Sequence, residues 1–313
     1  MQKHDPYLDD EIDLKELFNA LWEGKKLIIL ITAIFAISSV VYSLLLTNYY
    51  RSESLVVTRS DTQNQGLSSQ YSGLAAMAGI NLPSSGDDKA LQAIELIKSR
   101  KFLKHLLTFD NILPSIMAQK SYNNSSKELL FNQKIYDSEN KVWKRETTKN
   151  GRTKPSYLEA HKVYMNSVMS ISQDKITGFI TIYVEHISPV FAKEFLELII
   201  REANVLIRNK DIEVSSKALK YLKSELSKTS FVEIKESINS LIEVQLETQM
   251  LTQINEDYIL IEIEPPFIPE EKSKPSRSLI CILGTILGGM LSICIALIRH
   301  YVGGKEIRNH TSI

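Results

Sequence analysis

Near the N-terminus, residues 27–46 read LIILITAIFAISSVVYSLLL and contain no charged side chain. This run of about 20 uncharged residues is as long as a helix must be to cross the roughly 30 Å hydrocarbon layer of a bilayer. A second uncharged run of the same length occupies residues 279–298. Lys25 and Lys26 precede the first run, and Arg299 follows the second. Uninterrupted apolar runs with basic flanks favour two transmembrane helices over buried core helices.

The first run differs from a cleaved signal peptide. Signal peptides have an apolar region of roughly 7 to 15 residues with a small-residue cleavage site behind it. Here the apolar region is longer, about two dozen mostly polar residues precede it, and residues 47–52 contain no such cleavage site. We therefore expect the first span to remain as a membrane anchor.

Basic residues beside the spans predict the orientation of the chain. Lysine and arginine in short flanking segments mark the cytoplasmic side, whereas loops longer than about 60 residues translocate largely regardless of charge. The flanking basic residues are Lys15, Lys25 and Lys26 before the first span and Arg299, Lys305 and Arg308 after the second. The pattern predicts a membrane protein with two spans and both termini in the cytoplasm, so that the domain between the spans lies on the far side, which in a bacterium is the periplasm. The expected segments are a cytoplasmic tail (1–26), transmembrane helix 1 (27–46), a periplasmic α+β domain (47–277), transmembrane helix 2 (278–298) and a cytoplasmic tail (299–313).

The composition of the chain argues against some partners and sources of stability. The 313 residues include 37 Lys and Arg against 37 Asp and Glu, so the formal net charge is +0. A neutral chain without a basic face lacks the attraction to phosphates that nucleic-acid binding uses, so we expect no nucleic-acid partner. Both cysteines, Cys281 and Cys294, fall in the second apolar run. The exported domain is therefore expected to be stabilised by packing or assembly rather than by disulfides.

Between the spans, the sequence mixes strand and helix patterns. Alternating apolar and polar residues predict a strand at each end of the exported domain and a hairpin inside it, at residues 50–59, 258–264 and 168–184. Apolar spacing predicts a helix from Asp87 or Asp88 through Leu106. Two regions give weaker signals, namely a Gly, Ser and Ala-rich loop or short helix at 66–86 and a polar, irregular or weakly helical region at 110–157.

The longest helical signal lies late in the exported domain. Neither Gly nor Pro occurs between Val190 and Glu264, which predicts one long helix over about 190–257. Even about 60 helical residues would extend some 90 Å, so such a helix must pack on a partner helix or a neighbouring subunit. The alternative is two helices with a break near residues 227–230. The expected fold is α+β, with a membrane-proximal mixed sheet and a long extended helix.

A proline-rich connector precedes the second span, and a glycine motif lies within the span. Prolines fix φ and exclude both a helix and a central strand, so the chain should reach the span through a stiff extended connector. Within the span a G-x-x-x-G pattern permits close contact with the first span or with another subunit. The residues predicted to have a structural or functional role are Pro265, Pro266, Pro269, Pro275, Gly284 and Gly288.

Motifs for catalysis, cofactor binding and metal binding are missing from the sequence. It contains no phosphate-binding P-loop, no H-E-x-x-H or G-x-S-x-G motif and no cysteine pair at metal spacing. The histidines are dispersed, and His161 and His186 are expected to be surface residues. The acidic residues Glu262, Glu264, Glu270 and Glu271 are expected to form a solvated connector rather than a cation site or a carboxylate pair. We therefore expect neither an enzyme nor a cofactor.

Taken together, several strings and their order resemble the Wzz-type chain-length determinants, the polysaccharide co-polymerases of bacterial inner membranes. The strings are DEIDL at 10–14, Trp22, YRS at 50–52, IELIKSR at 94–100 and the proline connector that enters a Gly-rich span. The resemblance covers about the first hundred and last fifty residues, and the middle only through architecture. It implies a ring-like homo-oligomer in the membrane. It also implies a role in setting how many sugar repeats a Wzy-type polymerase joins on an undecaprenyl carrier.

The sequence departs from one branch of that family, because no tyrosine-kinase domain follows Ile298, where about 15 residues remain. This favours a non-enzymatic regulator of O-antigen length in lipopolysaccharide. A co-polymerase for capsule or exopolysaccharide export that works with a separate kinase stays open. A two-span periplasmic sensor is a further alternative, but the short tails leave no room for an output domain. A membrane-anchored hydrolase is disfavoured by the missing catalytic motifs.

Overall fold

The computed structural model describes residues 14–58, 86–146, 151–254 and 257–309. The chain divides into two compact units. The terminal unit comprises Met1–Asn48 and Lys274–Ile313, and the central unit comprises Tyr49–Ser273. Helices and a sheet are both present, so the predicted α+β class is confirmed.

The helices of the described residues are α1 (Leu14–Glu23), α2 (Lys25–Leu45), α3 (Gly86–Lys98), α4 (Arg100–Leu106), α5 (Ile112–Met117), α6 (Tyr157–Val163), α7 (Pro189–Lys228), α8 (Val232–Ile254) and α9 (Arg277–Asn309). A single π-helical turn, Tyr164–Val168, follows α6. The strands are β1 (Tyr49–Thr58), β2 (Gln119–Asn123), β3 (Glu128–Phe131), β4 (Tyr136–Asp137), β5 (Val142–Trp143), β6 (Met169–Gln173), β7 (Ile180–His186), β8 (Leu260–Glu264) and β9 (Lys272–Lys274).

The terminal unit contains the two apolar helices that the sequence predicts. Helix α2 and the Arg277–His300 part of α9 are both long and apolar enough to cross a membrane. Both ends of α2 and the first residue of α9 lie within about two residues of the ends of the predicted runs. At its C-terminal end α9 continues beyond the run to Asn309. The two helices pack against each other. The prediction of two such helices is confirmed.

A five-stranded sheet organises the central unit. Its strands follow the order β6-β7-β1-β8, and β9 also pairs with β1. Neighbouring strands along this path are antiparallel, with Tyr50 opposite His186 and Val56 opposite Ile180 in the β1–β7 pair. The predicted terminal strands and hairpin are therefore present. A mixed sheet was predicted, but the pairs along this path are all antiparallel.

The first half of α7 supplies one wall of the core. Ser188 caps this helix, because its side chain accepts a hydrogen bond from the Phe191 backbone N–H at 3.2 Å. Phe195 and Ile199 are both buried against the sheet and the shorter helices. Helix α3 packs against β1 and α7, and α4 packs against α6 and α7, with Phe102 fully buried.

The prediction of one continuous helix over about 190–257 is wrong. Helix α7 ends at Lys228 and α8 begins at Val232, where the alternative of two helices placed a break. Thr229 takes an extended conformation, and α8 packs back along α7. The apolar residues that meet between the two helices are Ala218, Leu222, Ile238 and Leu241. Folding back buries this stripe within one chain, which a single straight helix cannot do.

Two further predictions are corrected by short elements. The helix predicted through Leu106 is interrupted at Ser99, which caps α4 by accepting a hydrogen bond from the Phe102 backbone N–H. The region 110–157 was predicted to be irregular or weakly helical, but its described residues hold α5 and two small antiparallel hairpins, β2–β3 and β4–β5. The loop predicted at 66–86 lies almost wholly outside the described residues.

Candidate functional site

The residues predicted to have a role fall into two groups, one in each unit. Gly284, Gly288 and Pro275 lie in the terminal unit, whereas Pro265, Pro266 and Pro269 lie in the central unit. The structure shows what surrounds each residue, while their role in function stays a prediction.

In the terminal unit, the two glycines face the first apolar helix. A Cβ atom added at Gly284 would lie 2.5 Å from the Ser39 Cβ, and one added at Gly288 would lie 2.4 Å from the Phe35 Cβ. Real Cβ atoms essentially never come this close to another heavy atom. At Gly289 the same addition meets nothing within 4 Å. Gly284 and Gly288 are therefore the positions at which α2 and α9 require the absence of a side chain.

The glycine motif is part of a longer run of small residues along α9. Gly288, Ser292 and Ala296 follow at four-residue spacing, and all three are buried. The hydroxyl oxygens of Thr32 and Ser292 lie 3.3 Å apart across the helix pair. Small residues allow two membrane helices to approach closely, and close approach replaces the hydrophobic driving force that is missing in lipid. The sequence analysis identified only the glycine end of this run, although the four-residue spacing was visible in the sequence.

In the central unit, buried serines of β1 hold the proline connector. Ser52 Oγ donates a hydrogen bond to the carbonyl oxygen of Phe267, and Ser54 Oγ donates to that of Glu264, each at 2.7 Å. Both serines are fully buried. A third hydroxyl, Ser273 Oγ, donates to the carbonyl oxygen of Tyr49 at 3.1 Å. These three serine hydroxyls thus fix the connector along β1. They donate to backbone carbonyl oxygens, and prolines, which lack an N–H group, cannot supply such hydrogen bonds.

The prolines of the connector are not equivalent. Pro266 and Pro269 are buried, whereas Pro265 is exposed together with Phe267 and Ile268. A spacing of three residues matches one turn of polyproline II helix, so one edge of the extended connector faces the protein. The inward prolines hold the path of the chain in the central unit, and the outward residues are available for other contacts.

The YRS string that carries part of the family resemblance has a definite structural role. Arg51 lies opposite Glu185 on the neighbouring strand, and its Nε and Nη2 atoms donate to Glu185 Oε1 at 2.8 and 2.6 Å. The guanidinium group also lies over the Tyr183 ring, 5.2 Å from its centroid. Arg51 therefore ties β1 to β7, while Ser52 ties β1 to the connector.

The second string, IELIKSR, marks the junction between α3 and α4. The carbonyl oxygens of Ile97 and Lys98 lie at the C-terminal end of α3. The Tyr164 hydroxyl donates to the first of them at 3.2 Å, and His161 Nε2 lies 2.8 Å from the second. Complete burial raises the pKa of Tyr164 far above its usual range, so its hydroxyl remains a donor. His161 is therefore a half-buried structural residue rather than a surface residue.

His186, also expected at the surface, is fully buried at the end of β7. Its Nδ1 accepts a hydrogen bond from the Ser188 backbone N–H at 3.0 Å, so Nε2 donates to the Ser115 carbonyl oxygen at 2.9 Å. Burial lowers the pKa of His186 from 6.5 to about 4. The neutral ring thus joins the start of α7 to α5.

Acidic side chains form no recognisable metal centre in the described part of the chain. No group of three or more His, Cys, Asp and Glu residues is placed there to hold a metal ion. Glu264, Glu270 and Glu271 are exposed, as a solvated connector requires. Glu262 differs, because burial and the carboxylates of Asp257 and Glu197 raise its pKa.

Comparison with known proteins matches the N-terminal third of the chain to one family. Residues 10–108 match the family model described as "Chain length determinant protein" (Wzz). A stretch of 114 residues is 37% identical to the tyrosine-protein kinase etk of Escherichia coli K12. The etk protein of Escherichia coli O157:H7 is 39% identical over 95 residues. These matches cover 36% and 30% of this chain but only 14% and 12% of the kinases, so the chain spans a small part of its curated relatives.

Two solved structures of low sequence identity are also similar. A full-length bacterial polysaccharide co-polymerase has 14% identity and a TM-score of 0.44, and the match covers 96% of this chain and 100% of that one. A fragment of the co-polymerase WzzB from Salmonella Typhimurium has 12% identity and a TM-score of 0.28, with coverage of 72% and 100%.

The fold and the matched residues define a class of protein in which two apolar helices flank a large extra-membrane α+β domain. Within that class, residues 10–108 carry a Wzz chain length determinant domain. This domain runs from the beginning of α1 through α2 and β1 to the end of α4. The resemblance to the Wzz-type chain-length determinants is therefore confirmed.

Proposed function

We propose that the protein is a non-enzymatic regulator of the modal chain length of a surface polysaccharide, most specifically the O-antigen of lipopolysaccharide. The observation that carries the proposal is the match of residues 10–108 to the chain length determinant family. The strings that first indicated the family also have structural roles here, since Arg51 joins β1 to β7, Ser52 joins β1 to the proline connector and Ser99 divides α3 from α4. The regulator would act with a Wzy-type polymerase on undecaprenyl-linked polysaccharide.

The orientation that this function requires places both termini in the cytoplasm and the central unit in the periplasm. Lys25, Lys26 and Arg299 support it, because basic residues beside a span remain on the cytoplasmic side. The test uses a background with Cys281 and Cys294 replaced by Ala. A cysteine at the exposed Asn140 should then react with a membrane-impermeant thiol reagent in intact spheroplasts, and one at Ser312 should not. Labelling of the Ser312 site alone would invert the orientation.

The regulator is proposed to work as a homo-oligomer. Apolar side chains that a single chain leaves exposed extend along the α7–α8 hairpin, and they include Phe231, Val232, Met250 and Ile254. Exposed apolar residues in this number favour a further packing partner. A ring-like assembly of identical chains would cover them. Static light scattering in mild detergent should report a mass several times 35.6 kDa, and a monomer at micromolar concentration would contradict the assembly.

Deletion of the gene and complementation from a plasmid test the function. The polysaccharide from each strain is separated by gel electrophoresis. The proposal expects that deletion replaces a ladder with a preferred length by one without a preferred length, and that complementation restores the preferred length. An unchanged ladder in the deletion strain would remove the proposal.

A second candidate is a co-polymerase for capsule or exopolysaccharide export that works with a separate kinase. The observation that favours it is the similarity of the N-terminal region to the etk proteins, which are tyrosine kinases. The same deletion strain separates the two candidates. Loss of high-mass capsule or exopolysaccharide with an unchanged lipopolysaccharide ladder would favour export, and the reverse result would favour control of O-antigen length.

A further inference from the structure

Helix α1 exposes an aromatic pair at its C-terminal end. Phe18 and Trp22 are 62% and 61% exposed, although both side chains are large and apolar. Their rings are stacked, with centroids 6.1 Å apart and planes inclined by 19°. The Lys25 Nζ atom lies over the indole ring of Trp22, 4.4 Å from its centroid. Two stacked aromatic rings with a cation beside them form an exposed apolar surface, which is unfavourable in water.

The rest of α1 fixes the direction of this pair. Ala20 is buried, and a Cβ atom added at Gly24 would lie 3.0 Å from the Ala296 Cβ of α9. Glu23 also lies 3.5 Å from the His300 ring. Helix α1 is thus held against the helix pair on one side. The aromatic pair, which belongs to the same terminal unit, points away from this contact.

The sequence of α1 is amphipathic. Its segment LKELFNALWE places apolar residues at the spacing of one helix face and polar residues on the other. The apolar positions are 14, 17, 18, 21 and 22, and the polar positions are 15, 16, 19 and 23. An amphipathic helix with Trp and Phe on its apolar face and basic residues nearby has the composition of a helix that lies at a membrane surface.

The position of Trp22 along the chain fixes its depth. Only Gly24 separates α1 from α2, and helical hydrogen bonds pass through it from Gly24 N–H to the Ala20 carbonyl and from Ile28 N–H to the Gly24 carbonyl. Trp22 precedes the first residue of the uncharged run by five positions, or about 7.5 Å of helix. The headgroup layer on each side of the hydrocarbon is about 5 to 8 Å thick. Trp22 therefore falls at headgroup level when α2 spans the bilayer.

We propose that Trp22, with Phe18 stacked on it from the aqueous side and Lys25 beside it, docks into the phospholipid headgroup layer where α2 enters the membrane. The indole ring lies among the glycerol and carbonyl groups, where amphipathic aromatic rings are enriched. The Lys25 ammonium group stays beside the ring and faces the lipid phosphates. This contact would fix the depth and rotation of the helix pair, and it is independent of the polysaccharide that the protein regulates.

The chain offers a direct spectroscopic test because it contains 2 tryptophans, Trp22 and Trp143. Trp143→Phe keeps an aromatic ring beside Tyr136, whose ring centroid is 4.9 Å away in the central unit, and leaves Trp22 as the sole indole. The full-length variant is placed in nanodiscs of phosphatidylethanolamine and phosphatidylglycerol. Its fluorescence is quenched in turn by a lipid nitroxide at the headgroup, by a lipid nitroxide at the chain end and by aqueous iodide.

The expected result is quenching by the headgroup nitroxide about twofold stronger than by the chain-end nitroxide, with Trp22 largely protected from iodide. Quenching by iodide as strong as that of free indole would place Trp22 in water and overturn the proposal. Protection from all three quenchers would place it against a second copy of the chain and would overturn it equally. Incorporation into the nanodisc, measured by size-exclusion chromatography, shows separately that each variant is folded and inserted.

A matched pair of substitutions in the same background adds a control. Phe18→Ser removes the stacked ring from the apolar face and should increase the access of iodide to Trp22. Asn19→Ser changes an exposed polar neighbour on the other face and should leave that access unchanged. Equal effects of the two substitutions would show that the aromatic pair does not set the position of Trp22.

Discussion

A leucine at Gly288 is expected to separate the two apolar helices, whereas a leucine at the adjacent Gly289 is not. The Cβ alone would lie 2.4 Å from the Phe35 Cβ and 2.9 Å from its Cγ, about 1 Å short of ordinary van der Waals contact. Both atoms of Phe35 lie close to its backbone, so the ring cannot turn away to make room. The helices must therefore move apart, and a leucine requires a larger movement than the Cβ alone. Overpacking of this kind costs about 1 to 3 kcal/mol.

The assay is disulfide formation between the helices in the full-length protein. Cysteines replace Thr32 and Ser292, whose hydroxyl oxygens lie 3.3 Å apart, in a background without Cys281 and Cys294. Gly288→Leu should lower the rate of cross-linking about fivefold or more, which corresponds to the lower end of the overpacking cost. Gly289→Leu adds the same apolar volume at a position with no neighbour within 4 Å and should cross-link like the parent. Equal rates for the two variants would refute the assignment of α2 as the partner of this face.

Three further outcomes are expected. Because burial lowers the pKa of His186 from 6.5 to about 4, its contribution to stability is complete above pH 6.5 and is lost as the pH falls to 4, by about 3 kcal/mol. The difference between the parent and His186→Gln in urea unfolding across this range measures that loss, and a constant difference would contradict it. Pro266→Ala, at a buried position, should broaden the polysaccharide length distribution, whereas Pro265→Ala, at an exposed one, should not. Ser52→Ala leaves the Phe267 carbonyl oxygen without its buried donor and should lower stability by about 1 to 3 kcal/mol in the same urea assay, and wild-type stability would show that the connector is held by other contacts.

The sequence was sufficient for the parts of the fold that depend on local patterns. The apolar runs gave the two membrane-length helices, because length and absence of charge are properties of the run itself. Alternation gave the terminal strands for the same reason. The sequence favours one long helix over two helices because neither Gly nor Pro marks the break between α7 and α8. The break follows from burial of Leu222 against Leu241, which only the folded chain reveals.

Other features could not be predicted from the sequence because the residues at these positions are not the types that usually mark such features. Ser52 and Ser54 face inward on β1, so hydropathy could not show that they hold the connector. The small hairpins of the 110–157 region turn at Lys127 and Lys141, which take positive φ where glycine is the usual signal. His186 was predictable in principle, since it continues the inward alternation of β7 that begins at Ile180.

The most direct test of the proposed function is the distribution of repeat numbers in the surface polysaccharide. A polymerase that stops with constant probability at each step gives abundances that fall steadily with length, whereas a chain-length regulator creates a preferred length. Band intensities from the deletion strain should fall steadily, and the wild-type and complemented strains should both show a maximum at the same repeat number. A maximum that persists unchanged after deletion would contradict the assignment of this protein as a chain length determinant.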